Sequence, residues 1–187
     1  MEAIYSPKED SFLLSKAISE YLDSMNQKQL KNFKFLYLGT GSGIQAEMAS
    51  EFLSKENILA VDINEEAVRY ARNLGFKAVK SDLFSSTDLR DKKFDLIAFN
   101  PPYLPEDEFD SGLDTTGGEN GDELIIAFLQ VAKNYLSDNG VILLLLSSLT
   151  PREKIEAEIK DNYKKEIVSN KKLFFETLEV FRLTKNS

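Results

Sequence analysis

The segment Asn100-Pro101-Pro102-Tyr103 combines residue types that suit a chemical role. Its two prolines lack a backbone N–H, so this turn offers carbonyl acceptors. The Asn100 side chain adds a further carbonyl acceptor, and the Tyr103 ring offers a flat face to a planar group or a neighbouring cation. Together these acceptors could hold both hydrogens of an –NH₂ group and aim its nitrogen at an electrophilic carbon. The turn therefore predicts methyl transfer to a planar amide or amine nitrogen, and the alternative is a proline-stiffened turn without a catalytic role.

A second segment, Gly39-Thr40-Gly41-Ser42-Gly43, lies between a predicted strand and a predicted helix. Its glycines allow a sharp turn and close approach to a ligand, and the N–H groups that begin a helix favour an anionic group. The dinucleotide fingerprint G-x-G-x-x-G would need glycine at position 44, where this chain has Ile44. The observed spacing is typical of S-adenosylmethionine sites. A tight turn without a ligand is the alternative, but Asp62, at the end of the next predicted strand, could accept from both ribose hydroxyls.

The elements that position these segments alternate short apolar runs with helical periodicity, which indicates an α/β domain with a mostly parallel sheet. Strands are predicted at 33–38, 58–61, 76–79, 94–99, 141–146, 165–168 and 173–183. The predicted helices are one capped by Ser6, one over 44–53, one capped by Asn64, one over 122–136 and one over 151–159. Ligands of such sheets bind beyond the carboxyl ends of the strands, so the two segments should be neighbours.

The bulk composition limits the class of protein. The 187 residues suit a single domain, which we expect to span 1–187 with a helical cap over 1–30 and a core over 33–187. Zero Cys and zero His exclude disulfides, thiolate or imidazole metal sites and His-based triads, so no metal is expected. No apolar run reaches the roughly 18–20 residues of a membrane span, and no secretory signal begins the chain. These features predict a cytoplasmic protein.

Charge argues against a nucleic-acid partner. The formal net charge is −8, from 23 basic and 31 acidic residues. Residues 94–132 contain no Lys or Arg and nine acids, within which 104–121 is predicted to be a long loop. Such a stretch repels phosphate and could recruit a basic protein partner, although a solvated acidic loop is an equal alternative. The nine acids are Asp95, Glu106, Asp107, Glu108, Asp110, Asp114, Glu119, Asp122 and Glu123.

Six segments resemble the HemK-type glutamine methyltransferases, specifically the short archaeal and eukaryotic branch that modifies class 1 translation release factors. The resemblance covers almost the whole chain. The segments are residues 5–14 (the N-terminal signature), 39–43 (the cofactor loop), 61–64 (the ribose segment), 81–83 (the adenine-side turn), 100–103 (the catalytic turn) and 117–121 (a Gly-Gly-x-x-Gly element). The first and the catalytic turn are the more specific features.

The resemblance implies a class I, Rossmann-like fold with a seven-stranded, mostly parallel sheet, an antiparallel last strand and helices on both faces. It implies S-adenosyl-L-methionine as cofactor, and a glutamine amide in a Gly-Gly-Gln loop of a release factor as substrate. A small zinc-binding activator subunit is the implied partner. The implied catalytic residues are Asn100, Pro101, Pro102 and Tyr103. The implied cofactor-binding residues are Asp10, Ser11, Gly39, Thr40, Gly41, Gly43, Asp62, Ile63, Asp82, Leu83 and Asn100.

One departure from the family pattern concerns position 37. Family members commonly carry an acid two residues before the first glycine, where this chain has Tyr37. Without that acid, the chain is expected either to bind the cofactor more weakly or to use Asp10 in its place. Two alternative functions stay open: methylation of the adenine exocyclic amine, because the same turn can serve a flipped base, and a non-catalytic subunit that only binds a partner.

Overall fold

The computed structural model describes residues 6–102 and 121–186. Predictions for Tyr103, and for residues 104–120 of the predicted loop, lie outside these residues. Seven strands run in chain order at β1 Phe35–Leu38, β2 Ile58–Asp62, β3 Lys77–Lys80, β4 Phe94–Phe99, β5 Leu136–Ser147, β6 Tyr163–Lys172 and β7 Thr177–Lys185. The α-helices of the described part are α1 Glu9–Asp23, α2 Gln27–Leu30, α3 Ile44–Ala49, α4 Glu65–Asn73, α5 Glu123–Ala132 and α6 Glu153–Asn162.

The seven strands form one sheet in the order β3-β2-β1-β4-β5-β7-β6. The pairs from β3 to β5 are parallel, whereas β7 runs antiparallel to both β5 and β6. This arrangement confirms the predicted mostly parallel sheet with an antiparallel last strand. The aliphatic run Val141–Leu146 is buried in β5, between β4 and β7, as expected for a strand covered on both faces.

Successive strand residues point to opposite sides of the sheet, so its apolar residues line both faces. Helices cover each of these faces. Tyr37 packs with the buried residues of α1 and α3 on one face. Leu36 packs with α5 and α6, through Phe128 and Ile155, on the other. Both faces of the sheet are thereby covered, and the connecting loops lie at the ends of the strands.

Several predicted bounds needed correction. Ser6 does not cap α1, because the helix begins at Glu9 after an extended Lys8 that makes no side-chain cap bond. The helix predicted over 44–53 ends at Ala49. The strand predicted from Val141 begins at Leu136, since the pairing of β4 with β5 skips residues between Leu136 and Val141.

The helix cap predicted at Asn64 is confirmed, since the Asn64 side chain accepts from the Glu66 N–H at 2.8 Å. In residues 6–102 and 121–186, no helix has both the length and the apolar character needed to cross a membrane.

Candidate active site

The glycine loop adopts a backbone that requires glycine at three positions. Gly39, Gly41 and Gly43 have φ values of +68°, +46° and +77°. Side chains other than glycine are disfavoured in this left-handed region. The Thr40 N–H donates to the Val61 carbonyl of β2 at 3.0 Å, which fixes the loop above the sheet. The loop therefore turns tightly and leads into α3, as the sequence predicted.

Asp62 ties the glycine loop to the end of β2. One carboxylate oxygen accepts from the Gly41 N–H at 2.8 Å and the other from the Asn64 N–H at 2.9 Å. Burial raises the pKa of the Asp62 carboxyl, while backbone N–H donors, of Gly41 foremost, oppose that rise. Asp62 thus has a structural task that the sequence did not reveal. Each carboxylate oxygen keeps further acceptor capacity, so the ribose role stays a prediction.

The turn after β3 joins the same edge of the sheet. The Ser81 N–H donates to the Asp62 carbonyl at 2.9 Å, which brings the predicted adenine-side residues next to the ribose segment. Leu83 has φ +45°, an uncommon conformation for a residue with a side chain. Such strained backbone gathers at ligand sites. Asp82 and Ile63 are both exposed here, where a ligand could reach them.

Asn100 lies beside the glycine loop because β4 pairs with β1, with Leu38 opposite Phe99. A Cβ placed on Gly39 would stand 3.8 Å from the Asn100 carbonyl oxygen. The Asn100 amide nitrogen donates to the Asp10 carboxylate at 2.8 Å. Its side-chain oxygen is buried and has no hydrogen-bond partner within the described part of the chain. Leaving a buried acceptor unsatisfied costs free energy, and either a donor on a ligand or an ordered water would remove that cost.

The first turn of α1 is held against the site by buried polar bonds. Asp10 and Ser11 are 4% and 3% exposed. The buried Gln45 of α3 donates to the Ser11 carbonyl and accepts from the Ser15 hydroxyl, each at 2.8 Å. Gln45 was missed in the sequence, since a polar residue in a short helix carries no periodic signal. The predicted pair Asp10 and Ser11 is thereby brought to the catalytic turn.

Tyr37, which stands where family members carry an acid, is a core residue in this structure. Its side chain is 4% exposed and packs beside Phe35, with ring centroids 6.5 Å apart. It belongs to the core on the α1 face of the sheet. The expectation of weaker cofactor binding stays a prediction.

The residues at this edge fit S-adenosylmethionine. The Thr40 hydroxyl is buried without a partner among the described residues, and the glycine backbone leaves the loop bare of side chains at three positions. The acid of β2 and the strained turn at Leu83 complete a row along the carboxyl ends of β4, β1, β2 and β3. This fold and row of loops define a class I, Rossmann-like methyltransferase.

Comparison with known proteins agrees with that class. The family model described as methyltransferase small domain matches residues 15–178, and the chain belongs to that family. A putative protein N5-glutamine methyltransferase of Methanocaldococcus jannaschii is 37% identical over 189 residues, which cover 95% of this chain and 89% of the relative. Methyltransferase HEMK2 of Homo sapiens is 26% identical, with 98% of this chain and 90% of the relative covered. The predicted HemK-type resemblance and S-adenosylmethionine as cofactor are confirmed at this level.

Other relatives are longer or share the fold alone. A release factor glutamine methyltransferase of Clostridium acetobutylicum is 26% identical over 75% of this chain, which spans 54% of that protein. The structure of the E. cuniculi Mtq2–Trm112 complex, responsible for methylation of the translation termination factor eRF1, has a TM-score of 0.75. It is 24% identical and each chain is covered completely. This likeness confirms the fold.

Proposed function

We propose that this chain methylates the side-chain amide nitrogen of a glutamine in a Gly-Gly-Gln loop of a translation release factor. The observation that carries the proposal is the buried side-chain oxygen of Asn100 beside the glycine loop, which has no hydrogen-bond partner among the described residues. The names of the M. jannaschii and C. acetobutylicum relatives support the choice of glutamine, and the latter supports the choice of release factor.

The chemistry needs acceptors rather than a strong base. S-adenosylmethionine supplies, when bound, an electrophilic methyl group on a sulfonium. The Asn100 side-chain oxygen accepts one amide hydrogen of the glutamine, and a backbone carbonyl of the proline turn accepts the other. These two acceptors would aim the amide nitrogen at the methyl donor and would hold its hydrogens until one proton leaves to water. Acceptors that strengthen as the nitrogen becomes positive stabilise the transition state more than the ground state.

A protein fits this chain better as methyl acceptor than adenine in nucleic acid. However, fewer residues of the acidic stretch are available to recruit a basic partner than the sequence suggested. Asp95 accepts from the Lys34 N–H and the Ser137 hydroxyl, at the start of β4 and away from the site. Asp122 is 3% exposed and forms an ion pair with Lys154. Both acids serve the fold. The recruiting role of the acidic stretch therefore depends on Glu123 and on acids outside the described residues.

The remaining assignments are part of the same proposal. The E. cuniculi neighbour was solved with Trm112, which supports a small partner subunit here. Any zinc would belong to that partner, because this chain has no Cys or His. We place the protein in the cytoplasm, where release factors act, and treat residues 1–187 as one catalytic domain with a helical cap over 1–30. Within the site, Tyr103 is proposed to cover the planar amide.

A labelled-methyl assay tests the function. The chain, alone and with a Trm112-type subunit, is incubated with S-adenosylmethionine and either a release factor, its Gln→Ala loop variant, or DNA. We expect label on the release factor and none on the loop variant or the DNA. Equal label on the loop variant would overturn the choice of glutamine, and label on DNA would favour adenine. No cofactor binding under any condition would support the non-catalytic alternative.

A further inference from the structure

A partly buried hydrogen bond connects the catalytic turn to α1. The Asn100 amide nitrogen donates to one Asp10 carboxylate oxygen at 2.8 Å, across 90 residues of sequence. The other Asp10 oxygen accepts from the Ser11 N–H at 2.7 Å. Asp10 is only 4% exposed, so the carboxylate end of this contact is shielded from water. The family resemblance implies that Asp10 contacts the cofactor, and it does not indicate the contact with Asn100.

This bond determines which way the Asn100 amide faces. A carboxylate accepts hydrogen bonds and cannot donate them, so the –NH₂ side of the amide must face Asp10. The carbonyl side must then face the other way, and that oxygen is the one left without a partner in the described part of the chain. Without the carboxylate the amide could rotate by half a turn and present a donor, which would repel the –NH₂ group of a glutamine.

The carboxylate also affects how strongly the Asn100 oxygen accepts. A hydrogen bond to a charged acceptor is roughly twice as strong as a neutral one. Bonds in a chain polarise one another, so negative charge at Asp10 draws the amide hydrogens toward it and enriches the Asn100 oxygen in electron density. That oxygen is the group proposed to meet an increasingly positive substrate nitrogen.

We propose that Asp10 is a positioning residue for methyl transfer, which holds the Asn100 amide in its productive orientation and strengthens its oxygen as an acceptor. The inference rests on the proposed function. Asp10 acts through Asn100 and not through the cofactor. Neither oxygen of Asp10 is interchangeable with an –NH₂ group, because each faces a donor, and asparagine at this position would set an –NH₂ against one of them.

A double-mutant cycle tests this role. Asp10→Ala, Asp10→Asn, Asn100→Ala and the Asp10→Ala/Asn100→Ala double variant are compared by kcat, by substrate KM and by calorimetric cofactor affinity. We expect Asp10→Ala and Asp10→Asn each to lower kcat about 10- to 100-fold, in proportion to one charge-assisted hydrogen bond. Cofactor affinity should be unchanged. Adding Asp10→Ala to Asn100→Ala should cost no further activity, because the group through which Asp10 acts is already gone.

Ser15→Ala is the matched control. It removes a buried hydrogen bond that also anchors α1, to Gln45, yet it leaves Asn100 untouched. We expect its kcat to stay near that of the unmodified chain. If Ser15→Ala lowers kcat as much as Asp10→Ala does, then Asp10 only anchors α1 and does not position Asn100. Multiplicative losses in the double variant, or a fall in cofactor affinity as large as the fall in kcat, would also overturn the proposal.

A substrate-independent measurement separates this inference from the proposed function. The side-chain –NH₂ signal of Asn100, assigned in ¹⁵N-labelled protein by its loss in Asn100→Ala, should shift in Asp10→Asn and exchange faster with water. If that holds while glutamine is never methylated, the proposed function fails and the contact stands. If glutamine is methylated but neither the Asn100 signal nor kcat changes in the Asp10 variants, the positioning role is wrong and the proposed function stands.

Discussion

Replacing Asp62 by asparagine should weaken both the fold and cofactor binding, because the carboxylate serves both. Its two oxygens accept from the Gly41 and Asn64 N–H groups at 2.8 and 2.9 Å. Asparagine has the same shape but keeps one acceptor oxygen, so its –NH₂ group must face one of those two donors. One of these two bonds is then lost, either the one to the glycine loop or the one to the residue that caps α4.

The magnitude follows from one lost hydrogen bond to a charged group, which contributes about 1.5–3 kcal/mol. Part of that loss is returned, because burial makes the ionised carboxylate unfavourable, as its raised pKa indicates. We expect the free energy of unfolding to fall by about 1–2 kcal/mol. S-adenosylmethionine should bind about 10- to 100-fold more weakly, since a ribose contact to a charged acceptor is lost as well.

The raised pKa of Asp62 also predicts two opposite pH trends, a fall in stability and a rise in cofactor affinity as pH increases. A group whose pKa is raised on folding contributes stability below its ordinary pKa and loses it as pH rises through the folded value. In the unliganded chain, the Asp62 contribution to stability should therefore decline as pH rises through that range. Cofactor affinity should rise over the same range, because the ribose hydroxyls need an ionised acceptor. Neither trend should survive in Asp62→Asn.

Urea unfolding followed by circular dichroism measures the stability, and calorimetric titration with S-adenosylmethionine measures the affinity. Asp88→Asn is the control, since Asp88 is an exposed carboxylate away from the loop and should change neither quantity. Unchanged stability and unchanged affinity in Asp62→Asn would refute the dual role. Weaker affinity at full stability would restore a purely ribose-binding role.

Three further predictions address the site and the fold. Asn100→Ala should lower methyl transfer about 10²–10³-fold with intact cofactor binding; loss of binding in a folded variant would assign Asn100 to the cofactor. Gly43→Ala should cost about 1–2 kcal/mol in urea unfolding because φ is +77° and the new Cβ would lie 3.0 Å from Leu74, and full stability would contradict that strain. Tyr163→Phe should lower the free energy of unfolding by about 1 kcal/mol, because it removes the hydrogen bond that the hydroxyl donates to the Leu129 carbonyl. Burial raises the pKa of Tyr163 from 10.0 to about 12, so the wild-type advantage should shrink as pH rises from the first value to the second. No difference in stability at neutral pH would exclude the bond.

The sequence revealed the architecture well because the sheet leaves a local signature. Short apolar runs marked the strands, and the glycine spacing marked the turn that three positive φ values then required. Element ends were less predictable. Ser6 has the residue type of a helix cap, yet the extended backbone at Lys8 delays α1 to Glu9.

Contacts between distant segments could not be read from the sequence. Nothing near Asp10 indicates that its partner is Asn100, because only the docking of α1 on the sheet brings them together. The place of Asp62 at the end of β2 predicts a ligand contact, while its bonds to the loop depend on the exact path of the backbone. The sequence shows that position 37 departs from the family pattern, but the burial of Tyr37 beside Phe35 emerges only from packing.

The central claim is that the buried oxygen of Asn100 directs a methyl group to a glutamine amide. Its most direct test is fragment mass spectrometry of a release factor incubated with S-adenosylmethionine, the partner subunit and either the unmodified chain or Asn100→Ala. We predict one methyl group on the side-chain nitrogen of the Gly-Gly-Gln glutamine with the unmodified chain, and a trace at most with the variant. A methyl group on any other residue, or equal modification by Asn100→Ala, would contradict the claim.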